Sequence, residues 1–455
     1  MADIPDDLSR RTVLKASGVA GVTALAGCSG GGSGGGSGGG SGGSSGGSGG
    51  STGTSTGSSG GSGGSGDVRT IKQGYLLPLT GDLGSIGTPM KNGGMLATKQ
   101  VNDADVPFEV DEQIEDTKTK VPTAIDGANA LVNAGYPMMV GSATSNIEIG
   151  NRVFVPKGML ACSPSNTLPT LTNFKDKGLF FRTTPGDQYQ GFAMAQAASE
   201  RLEDVETVAT TYINDDYGQL LSQWFTDHFE QTFGGTVQNQ VVHDPVKSSY
   251  TSKLQTALKG DPDLFVVITY PQSGVQLFRD YYADFDTGRP IMLTDGAKDP
   301  TLPKKVGNDM TEAIGTMPAA SGPSYDAFTS MFKEEYGNPA VAFTAQTYDA
   351  SAITILANAA AGENDGAAVS KKMAEVANPG GTEITIDNLA EGVEMAANGE
   401  EIQYLGAASA VDFDEHGDLK SGSYELWQFT PDSQTGVERL DVVDVTKEQA
   451  LNPGN

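Results

Sequence analysis

Apolar and polar residues follow two different periods along the chain after residue 67. Runs rich in β-branched and apolar residues, at 68–78, 108–115 and 137–141, predict β-strands because such side chains suit the pleated surface of a sheet. Between these runs, 88–102 and 122–133 have apolar residues at helical spacing, which predicts helices. The alternation continues with predicted strands at 158–162, 207–213, 264–270 and 290–294 and predicted helices at 224–233 and 275–284.

Repeated strand and helix units predict an α/β fold with mostly parallel, doubly wound sheets. The stretch from residue 67 to residue 455 is too long for one core of ordinary size, so we expect two lobes. In sheets of this kind ligands bind beyond the carboxyl ends of the strands. We therefore expect a binding site in the turns that follow the predicted strands.

The beginning of the chain combines three features of an export signal. Arg10 and Arg11 precede an apolar segment at 16–26, and small residues lead to Cys28. This order predicts a twin-arginine signal peptide over 1–27 and attachment of lipid to Cys28. A transmembrane helix is the alternative, but it needs about 20 apolar residues and this segment is much shorter. The expected location is the outer face of the cell membrane, where the lipid anchors the chain.

Residues 28–66 are almost entirely Gly and Ser after the cysteine. Such a sequence has no apolar surface to bury, so we expect an unfolded tether. Its mean reach is on the order of 35 Å, which lets the folded part approach a partner in the membrane.

The charge of the chain excludes two classes of partner. There are 57 Asp and Glu residues against 29 Lys and Arg, a formal net charge of −28 at pH 7. Nucleic acids and anionic lipid surfaces need Lys and Arg to neutralise phosphate, so we expect neither as a partner. The acidic residues are spread along the whole chain, as in proteins from halophiles, where salt screens the self-repulsion. A halophilic origin is the hypothesis.

Candidate catalytic and metal-ligating residues are few. The only histidines are His228, His243 and His416, and none stands near a Cys or His at metal-ligand spacing. Cys162 lies in an apolar run, where a lone cysteine behaves as a small hydrophobic residue. The sequence therefore predicts a protein that is not an enzyme and that has no metal site and no cofactor.

Three turns after predicted strands are rich in Ser and Thr: 78–87, 141–146 and 163–169. Such residues commonly cap the helix that follows, which is the simplest interpretation. Three such turns at one sheet edge also favour a carboxylate-binding site, because hydroxyls and helix N-termini attract anions. The two interpretations are compatible.

Several short motifs occur in a characteristic order. They are Pro-Leu-Thr-Gly at 78–81, Phe-Arg-Thr-Thr-Pro at 181–185 followed by Gln190 and Gly191, Asn-Asp-Asp-Tyr-Gly at 214–218 and Phe-Asp-Glu-His-Gly-Asp at 413–418. On these motifs, the chain from Ile71 to about Phe429 resembles the branched-chain amino acid class of periplasmic binding proteins, the type I substrate-binding proteins of ABC importers. The resemblance implies a monomer that captures an amino acid and delivers it to ABC permease subunits.

The resemblance also implies two α/β lobes that close on a ligand. Three hinge crossings would join them, near 182–185, 318–322 and 421–424. The N-lobe would comprise 67–183 with 322–422, the C-lobe 184–321 with 423–445, and the tail 446–455.

The family's ligand contacts map onto seven residues of this sequence. Ser145, Ser165 and Thr167 match N-lobe positions that hold an amino acid's carboxylate and part of its ammonium. The matching C-lobe and wall positions are Tyr217, Tyr270, Asp295 as the partner of the ammonium, and Phe343 as an apolar wall.

Two positions depart from the family pattern. Asp295 stands where the family often has Glu, and Ile86 stands where an aromatic residue is common. Because the acid is shorter and the aromatic neighbour is missing, the resemblance does not determine the identity of the ligand. An apolar, branched amino acid is the first expectation, and an amide, a urea or a carboxylate is the alternative. A further alternative is a ligand-sensing domain for a separate signalling partner.

Overall fold

The computed structural model describes residues 68–430, 433 and 435–454. The predicted export signal with Arg10 and Arg11, the predicted lipidation site Cys28 and the Gly/Ser tether lie outside the described residues. The described strands form two large sheets and one small sheet, all within the unit Ser65–Asn455.

Strands and helices alternate through most of the described chain. The strands are β1 (Arg69–Leu77), β2 (Phe108–Asp116), β3 (Met138–Gly141), β4 (Leu160–Ser163), β5 (Phe180–Arg182), β6 (Thr207–Ile213), β7 (Thr236–His243), β8 (Leu264–Ile268), β9 (Ile291–Leu293), β10 (Ala313–Pro318), β11 (Thr382–Ile384), β12 (Ile402–Tyr404), β13 (Gly422–Phe429) and β14 (Val437–Val445). The helices are α1 (Gly84–Asp103), α2 (Val121–Asn133), α3 (Asn146–Ile149), α4 (Val155–Lys157), α5 (Asp187–Glu200), α6 (Asp216–Gln231), α7 (Thr251–Ala257), α8 (Pro271–Asp284), α9 (Leu302–Val306), α10 (Tyr325–Tyr336), α11 (Thr344–Ala361), α12 (Gly366–Ala377), α13 (Leu389–Ala397) and α14 (Lys447–Leu451).

The first sheet has five parallel strands in the order β2-β1-β3-β4-β5. Strand β1, which lies between β2 and β3, is buried on both faces over most of its length, because helices cover both sides of a parallel sheet. Tyr75 belongs to the core cluster shared with α1 and α11, whereas its neighbour Leu76 belongs to the cluster shared with α2. This is the doubly wound arrangement that the sequence predicts.

The second sheet has seven strands in the order β14-β13-β10-β9-β8-β6-β7. Strands β6 to β10 are parallel, whereas β13 and β14 are antiparallel to their neighbours. Helices α5 and α6 share one core cluster with this sheet, and α7 and α8 share another. The small third sheet pairs β11 with β12.

Helix α11 is buried along nearly its whole length, from Thr344 to Ala359. Its many Ala, Ser and Thr side chains are small, so α1, α12 and α13 pack directly against it. At the contact with α1, a Cβ added to Gly93 would meet the Thr344 carbonyl oxygen at 2.3 Å, so this approach requires glycine. A helix buried on all sides has no single apolar face, and its sequence therefore shows little helical periodicity.

The chain passes between the two sheets at three places: after Arg182 at the end of β5, after Pro318 at the end of β10, and before Gly422 at the start of β13. A buried ion pair joins the first and third of these. Arg182 Nε lies 2.6 Å from Asp418 Oδ1, and Arg182 Nη2 lies 2.9 Å from Asp418 Oδ2. Such a bidentate pair fixes the relative geometry of the two segments. The predicted lobe boundaries stay a prediction.

The predicted fold class is confirmed, and the differences lie at helix starts. Helix α6 begins at Asp216, well before the predicted 224, because the Asp215 side chain accepts the Gly218 N–H at 2.9 Å and caps the helix. The stretch predicted as a tail contains α14, whose Ala450 is fully buried.

Cys162, His228 and His243 lie in the core. Burial raises the pKa of the Cys162 thiol, as expected for an inert core cysteine. Burial lowers the pKa of His243 to about 4, so its ring is neutral between Thr211 and Thr269. Within the described residues, no three His, Cys, Asp or Glu side chains are grouped to hold a metal ion. None of the helices between residues 68 and 454 is long and apolar enough to cross a membrane.

Candidate functional site

Loops from the carboxyl ends of strands in both sheets enclose a cavity of about 350 Å³. The first sheet contributes the loops after β1, β3 and β4, and the second sheet contributes the loops after β6, β8 and β9. This is the position at which open α/β sheets bind ligands. We call this cavity the cleft.

All seven side chains predicted to contact a ligand lie on the lining of the cleft. They are Ser145, Ser165, Thr167, Tyr217, Tyr270, Asp295 and Phe343. The structure thus brings together residues that are far apart in the sequence, and their role in ligand binding stays a prediction.

Hydrogen bonds fix the loops after β3 and β4 against each other. The Ser163 hydroxyl donates to the Ser142 carbonyl oxygen at 2.7 Å and accepts the Asn166 N–H at 3.0 Å. The Asn166 side-chain amide donates to the Asn146 side-chain oxygen at 2.8 Å. These bonds set the positions of the hydroxyl residues that both loops present to the cleft.

Ser165 and Thr167 are the buried hydroxyl residues on the first-sheet side. Ser165 is 9 % exposed, and its Oγ has no hydrogen-bond partner among the described residues. A buried hydroxyl without a partner is costly unless a ligand supplies one. The Thr167 carbonyl oxygen accepts the Asp187 N–H at 2.7 Å, which connects this loop to the start of α5. Ser165 is therefore suited to bind a polar group in the cleft.

Asp295 is the buried acid on the second-sheet side and is 4 % exposed. Its Oδ1 accepts hydrogen bonds from the Tyr217 hydroxyl at 2.8 Å and from Gln190 Nε2 at 2.9 Å. Burial raises the pKa of Asp295 to about 6, although these two hydrogen bonds act in the opposite direction. At neutral pH the carboxylate is mainly ionised although it is buried, so a cation would stabilise it.

The rings of Tyr217 and Tyr270 are stacked, with centroids 5.6 Å apart and planes inclined by 12°. Both hydroxyls bind protein carboxylates, since Tyr270 donates to Asp215 Oδ2 at 2.8 Å and Tyr217 donates to Asp295. The rings are the parts of these side chains that remain for a ligand. Aromatic faces attract ammonium groups, which fits their place beside Asp295.

Five carboxylates line the cleft, and none of the described lining residues is Lys, Arg or His. The acids are Asp82, Glu148, Asp215, Asp216 and Asp295. Burial raises the pKa values of Asp82 and Asp215, as it does for Asp295. The cleft therefore favours a ligand with a cationic group, because an anion would meet only like charges on side chains.

Apolar side chains form the rest of the wall. Phe343 precedes α11 and is 3 % exposed. Leu83, Ile86 and Ile213 form an apolar cluster with Tyr270 at the edge of the cleft. Ile86, which departs from the family pattern, thus lies on the lining itself. A small apolar side chain fits such a wall.

Sequence reasoning missed four polar residues at or behind the cleft: Asp82, Asp187, Gln190 and Asp215. Gln190 lies inside a motif of the resemblance and orients Asp295. The first residues of α5 are polar and yet fully or almost fully buried, and both carboxylate oxygens of Asp187 lack a hydrogen-bond partner among the described residues. The polar residues at 187–190, shortly after the Phe-Arg-Thr-Thr-Pro motif, were the available signal for Asp187 and Gln190.

Comparisons with known proteins show the family of the chain. The model of the family "Periplasmic binding protein" matches residues 70–397. The Leu/Ile/Val-binding protein BraC3 of Rhizobium johnstonii is 27% identical over 366 residues, covering 78% of this chain and 90% of BraC3. The chemotactic signal transduction system substrate-binding protein BasB of Halobacterium salinarum is 24% identical over 359 residues, covering 74% of this chain and 82% of BasB.

Solved structures share the fold. The leucine-binding protein LivK of Thermotoga maritima has a TM-score of 0.69 at 22% identity, and the match covers 83% of this chain and 99% of the LivK chain. LivJ of Streptococcus pneumoniae in complex with isoleucine has a TM-score of 0.67 at 19% identity, with coverage of 83% and 99%. A solute-binding protein of R. palustris in complex with benzoate has a TM-score of 0.66 at 15% identity, with coverage of 84% and 99%. The chain belongs to the periplasmic binding protein family and is a type I member of the branched-chain amino acid type.

Proposed function

We propose that this protein holds a free amino acid with an apolar, branched side chain in the cleft. The observation that carries the proposal is the placement of Asp295 on the second-sheet side and of the buried hydroxyls of Ser165 and Thr167 on the first-sheet side. An amino acid has an ammonium group for the acid and a carboxylate for the hydroxyls. A hydrogen bond between the ammonium and Asp295 is worth about 1.5–3 kcal/mol.

The charge of the cleft favours an amino acid over a simple carboxylate. Relatives of this fold include proteins solved with isoleucine and with benzoate, so the fold alone does not choose between these ligands. A carboxylate without an ammonium group would leave Asp295 without a cation and would add a negative charge beside the other acids of the lining. The apolar wall with Ile86 and Phe343 supports an apolar side chain.

Delivery to an ABC permease is part of the proposal. Proteins of this family are extracytoplasmic, bind small molecules and deliver them to ABC permeases. We propose that the twin arginines Arg10 and Arg11 direct export of this chain and that lipid on Cys28 holds it at the outer face of the membrane. The Gly/Ser tether then lets the binding domain reach the permease.

A second candidate function is ligand sensing for a separate signalling partner. The observation that favours it is the similarity to BasB, a substrate-binding protein of a chemotactic system. The two functions predict different defects in a cell from which the gene has been deleted. Loss of uptake of labelled L-isoleucine supports delivery, and loss of the swimming response with normal uptake supports sensing.

Calorimetry on the purified protein tests the ligand class. L-Leucine, L-isoleucine and L-valine are compared with their amides and with the corresponding acids that lack the amino group. We expect binding of one ligand per chain, with the amino acids binding best. The Asp295→Ala variant should bind about tenfold to a hundredfold more weakly, from about 1.5–3 kcal/mol at about 1.4 kcal/mol per decade.

Asp349 offers a matched control, because it is also a fully buried carboxylate but does not line the cleft. Its bonds to Tyr404 and to the Ala407 N–H are structural, so Asp349→Asn should lower stability and leave affinity unchanged. Equal binding of the acids without an amino group, or normal binding by Asp295→Ala, would refute the ammonium site. Mass spectrometry of a small molecule that copurifies with the protein identifies the natural ligand directly.

A further inference from the structure

A side chain from the first-sheet side of the cleft caps a helix on the second-sheet side. Asp82 lies in the loop between β1 and α1, and Ser273 lies in the first turn of α8. Asp82 Oδ1 accepts the Ser273 N–H at 2.8 Å, and Asp82 Oδ2 accepts the Ser273 hydroxyl. The Asp82 carbonyl oxygen also accepts the Gln272 N–H at 3.4 Å. These bonds cross the rim of the cleft.

Helix α8 depends on this contact for its N-terminal N–H groups. Its N-cap residue, Tyr270, makes no side-chain capping bond, and its first residue is Pro271, which has no N–H. The first N–H groups that need a partner belong to Gln272 and Ser273, and Asp82 accepts both. A carboxylate at this end of a helix also interacts favourably with the helix dipole.

The contact is buried at the edge of the cleft. Asp82 is 7 % exposed and lines the cleft, and burial raises the pKa of its carboxyl group. Next to it, Leu83 and Ile86 from the first-sheet side pack with Ile213 and Tyr270 from the second-sheet side. Separation of the two sides would expose these apolar side chains to water and leave the helix N–H groups without Asp82.

Thr167, Tyr270 and Asp295 are each 5 % exposed or less, so a ligand in contact with them is largely shielded from solvent. Segments that join two sheets at three places allow hinge motion of the kind common around bound ligands. Opening of the cleft by such a motion would break the bonds of Asp82.

We propose that Asp82 and Ser273 form a latch that holds the two sides of the cleft together over a bound ligand, with Asp82 as a positioning residue that does not itself bind the ligand's ammonium or carboxylate. The proposal rests on the proposed function of the cleft. Because the latch acts on closure of the cleft, its loss weakens the binding of every ligand by the same factor and mainly raises the dissociation rate. Loss of Asp295, in contrast, acts on the ammonium and changes the ranking of ligands.

The test measures Kd and dissociation rate for L-leucine, L-isoleucine and L-valine in the full chain and in variants. Asp82→Ala should raise all three Kd values by a common factor of about ten to a hundred, chiefly through the dissociation rate. Ser273→Ala should act in the same direction with a smaller factor. The double variant should lose less than the sum of the two single variants, because both changes affect the same contact.

Asp365 provides the matched control, because its carboxylate caps α12 within the first-sheet side by accepting the Ala368 N–H at 2.9 Å. Asp365→Ala should lower stability and leave all three Kd values unchanged. If Asp82→Ala binds as tightly as the wild type, or if its losses differ from ligand to ligand, the latch is refuted while the proposed function stands.

Hydrogen exchange separates failure of the latch from failure of the proposed function. The Ser273 amide should exchange faster in Asp82→Ala than in the wild type, because the substitution removes the carboxylate that accepts its N–H, and this measurement needs no ligand. Equal exchange in the two proteins overturns the latch. If the wild type binds none of the three amino acids, the proposed function fails. Slower exchange in the wild type than in Asp82→Ala would still support the contact between Asp82 and Ser273.

Discussion

The binding of an amino acid should weaken as the pH falls through 6. Burial raises the pKa of Asp295 from an ordinary 3.8 to about 6. An ammonium group stabilises the ionised form, so the pKa of Asp295 is lower in the complex than in the free protein. Affinity is then full above pH 7 and declines as the free carboxylate takes up a proton. At pH 5 only about one Asp295 in ten is ionised, so Kd should be about tenfold higher than at pH 7.

The groups around Asp295 do not reverse the direction of this pH dependence. Tyr217 and Gln190 face it as hydrogen-bond donors. Asp187 also faces it, and burial together with the charge of Asp295 raises the pKa of Asp187 well above its ordinary value. Protonation of either acid removes negative charge that faces the ammonium, so the coupling between Asp187 and Asp295 keeps the same direction of pH dependence.

Calorimetry with L-isoleucine at pH 5, 6, 7 and 8 measures the effect. Repetition at pH 6 in buffers with different ionisation enthalpies shows the release of a proton on binding. In Asp295→Asn the affinity should be lower at pH 8 and nearly independent of pH. A wild-type Kd that stays constant from pH 8 to pH 5, or an equal decline in Asp295→Asn, would contradict the assignment of the ammonium to Asp295.

Three further predictions concern the whole chain. Cys28→Ser should release the protein into the medium, and a variant that stays membrane-bound counts against lipid attachment. Conversion of Arg10 and Arg11 to Lys should block export, and normal export counts against the twin-arginine signal. Fractionation and immunoblotting check both. Because the net charge is −28, the melting temperature should rise with KCl well beyond ordinary buffer concentrations, and indifference to salt argues against halophilic adaptation. Arg182→Met should cost about 3–5 kcal/mol in urea unfolding because it leaves a buried carboxylate unpaired, whereas Arg201→Met removes an exposed pair and should cost about 0–1 kcal/mol.

The parallel strands could be predicted because they leave local signals in the sequence, whereas the seven lining residues were predicted from the resemblance to the family. Strands such as β6 and β8 are continuous β-branched or apolar runs. Six of the seven lie in the segments directly after strands, where open α/β sheets bind ligands, and Phe343 precedes α11 and was predicted from the resemblance alone.

Other features depend on contacts between distant parts of the chain and leave no local signal. The bond from Asp82 to Ser273 joins residues 191 positions apart, and nothing around Asp82 shows that it caps a helix on the other side of the cleft. The same holds for Arg182 and Asp418, 236 positions apart. In the sequence each of these acids looks like an ordinary turn residue, because only the tertiary fold determines its partner.

Asp82 and Asp295 show how one acidic cleft can separate closure from recognition. The carboxylate of Asp82 accepts the N–H and the hydroxyl of Ser273 in the first turn of α8, so its charge is already partly compensated by the helix N-terminus. The carboxylate of Asp295 accepts bonds only from neutral donors, so it retains a charge that a ligand can neutralise. Since no described lining residue is basic, a second carboxylate on the ligand would have no cation to meet. The cleft should therefore reject glutamate and aspartate by charge and should select among neutral amino acids by the shape of its apolar wall.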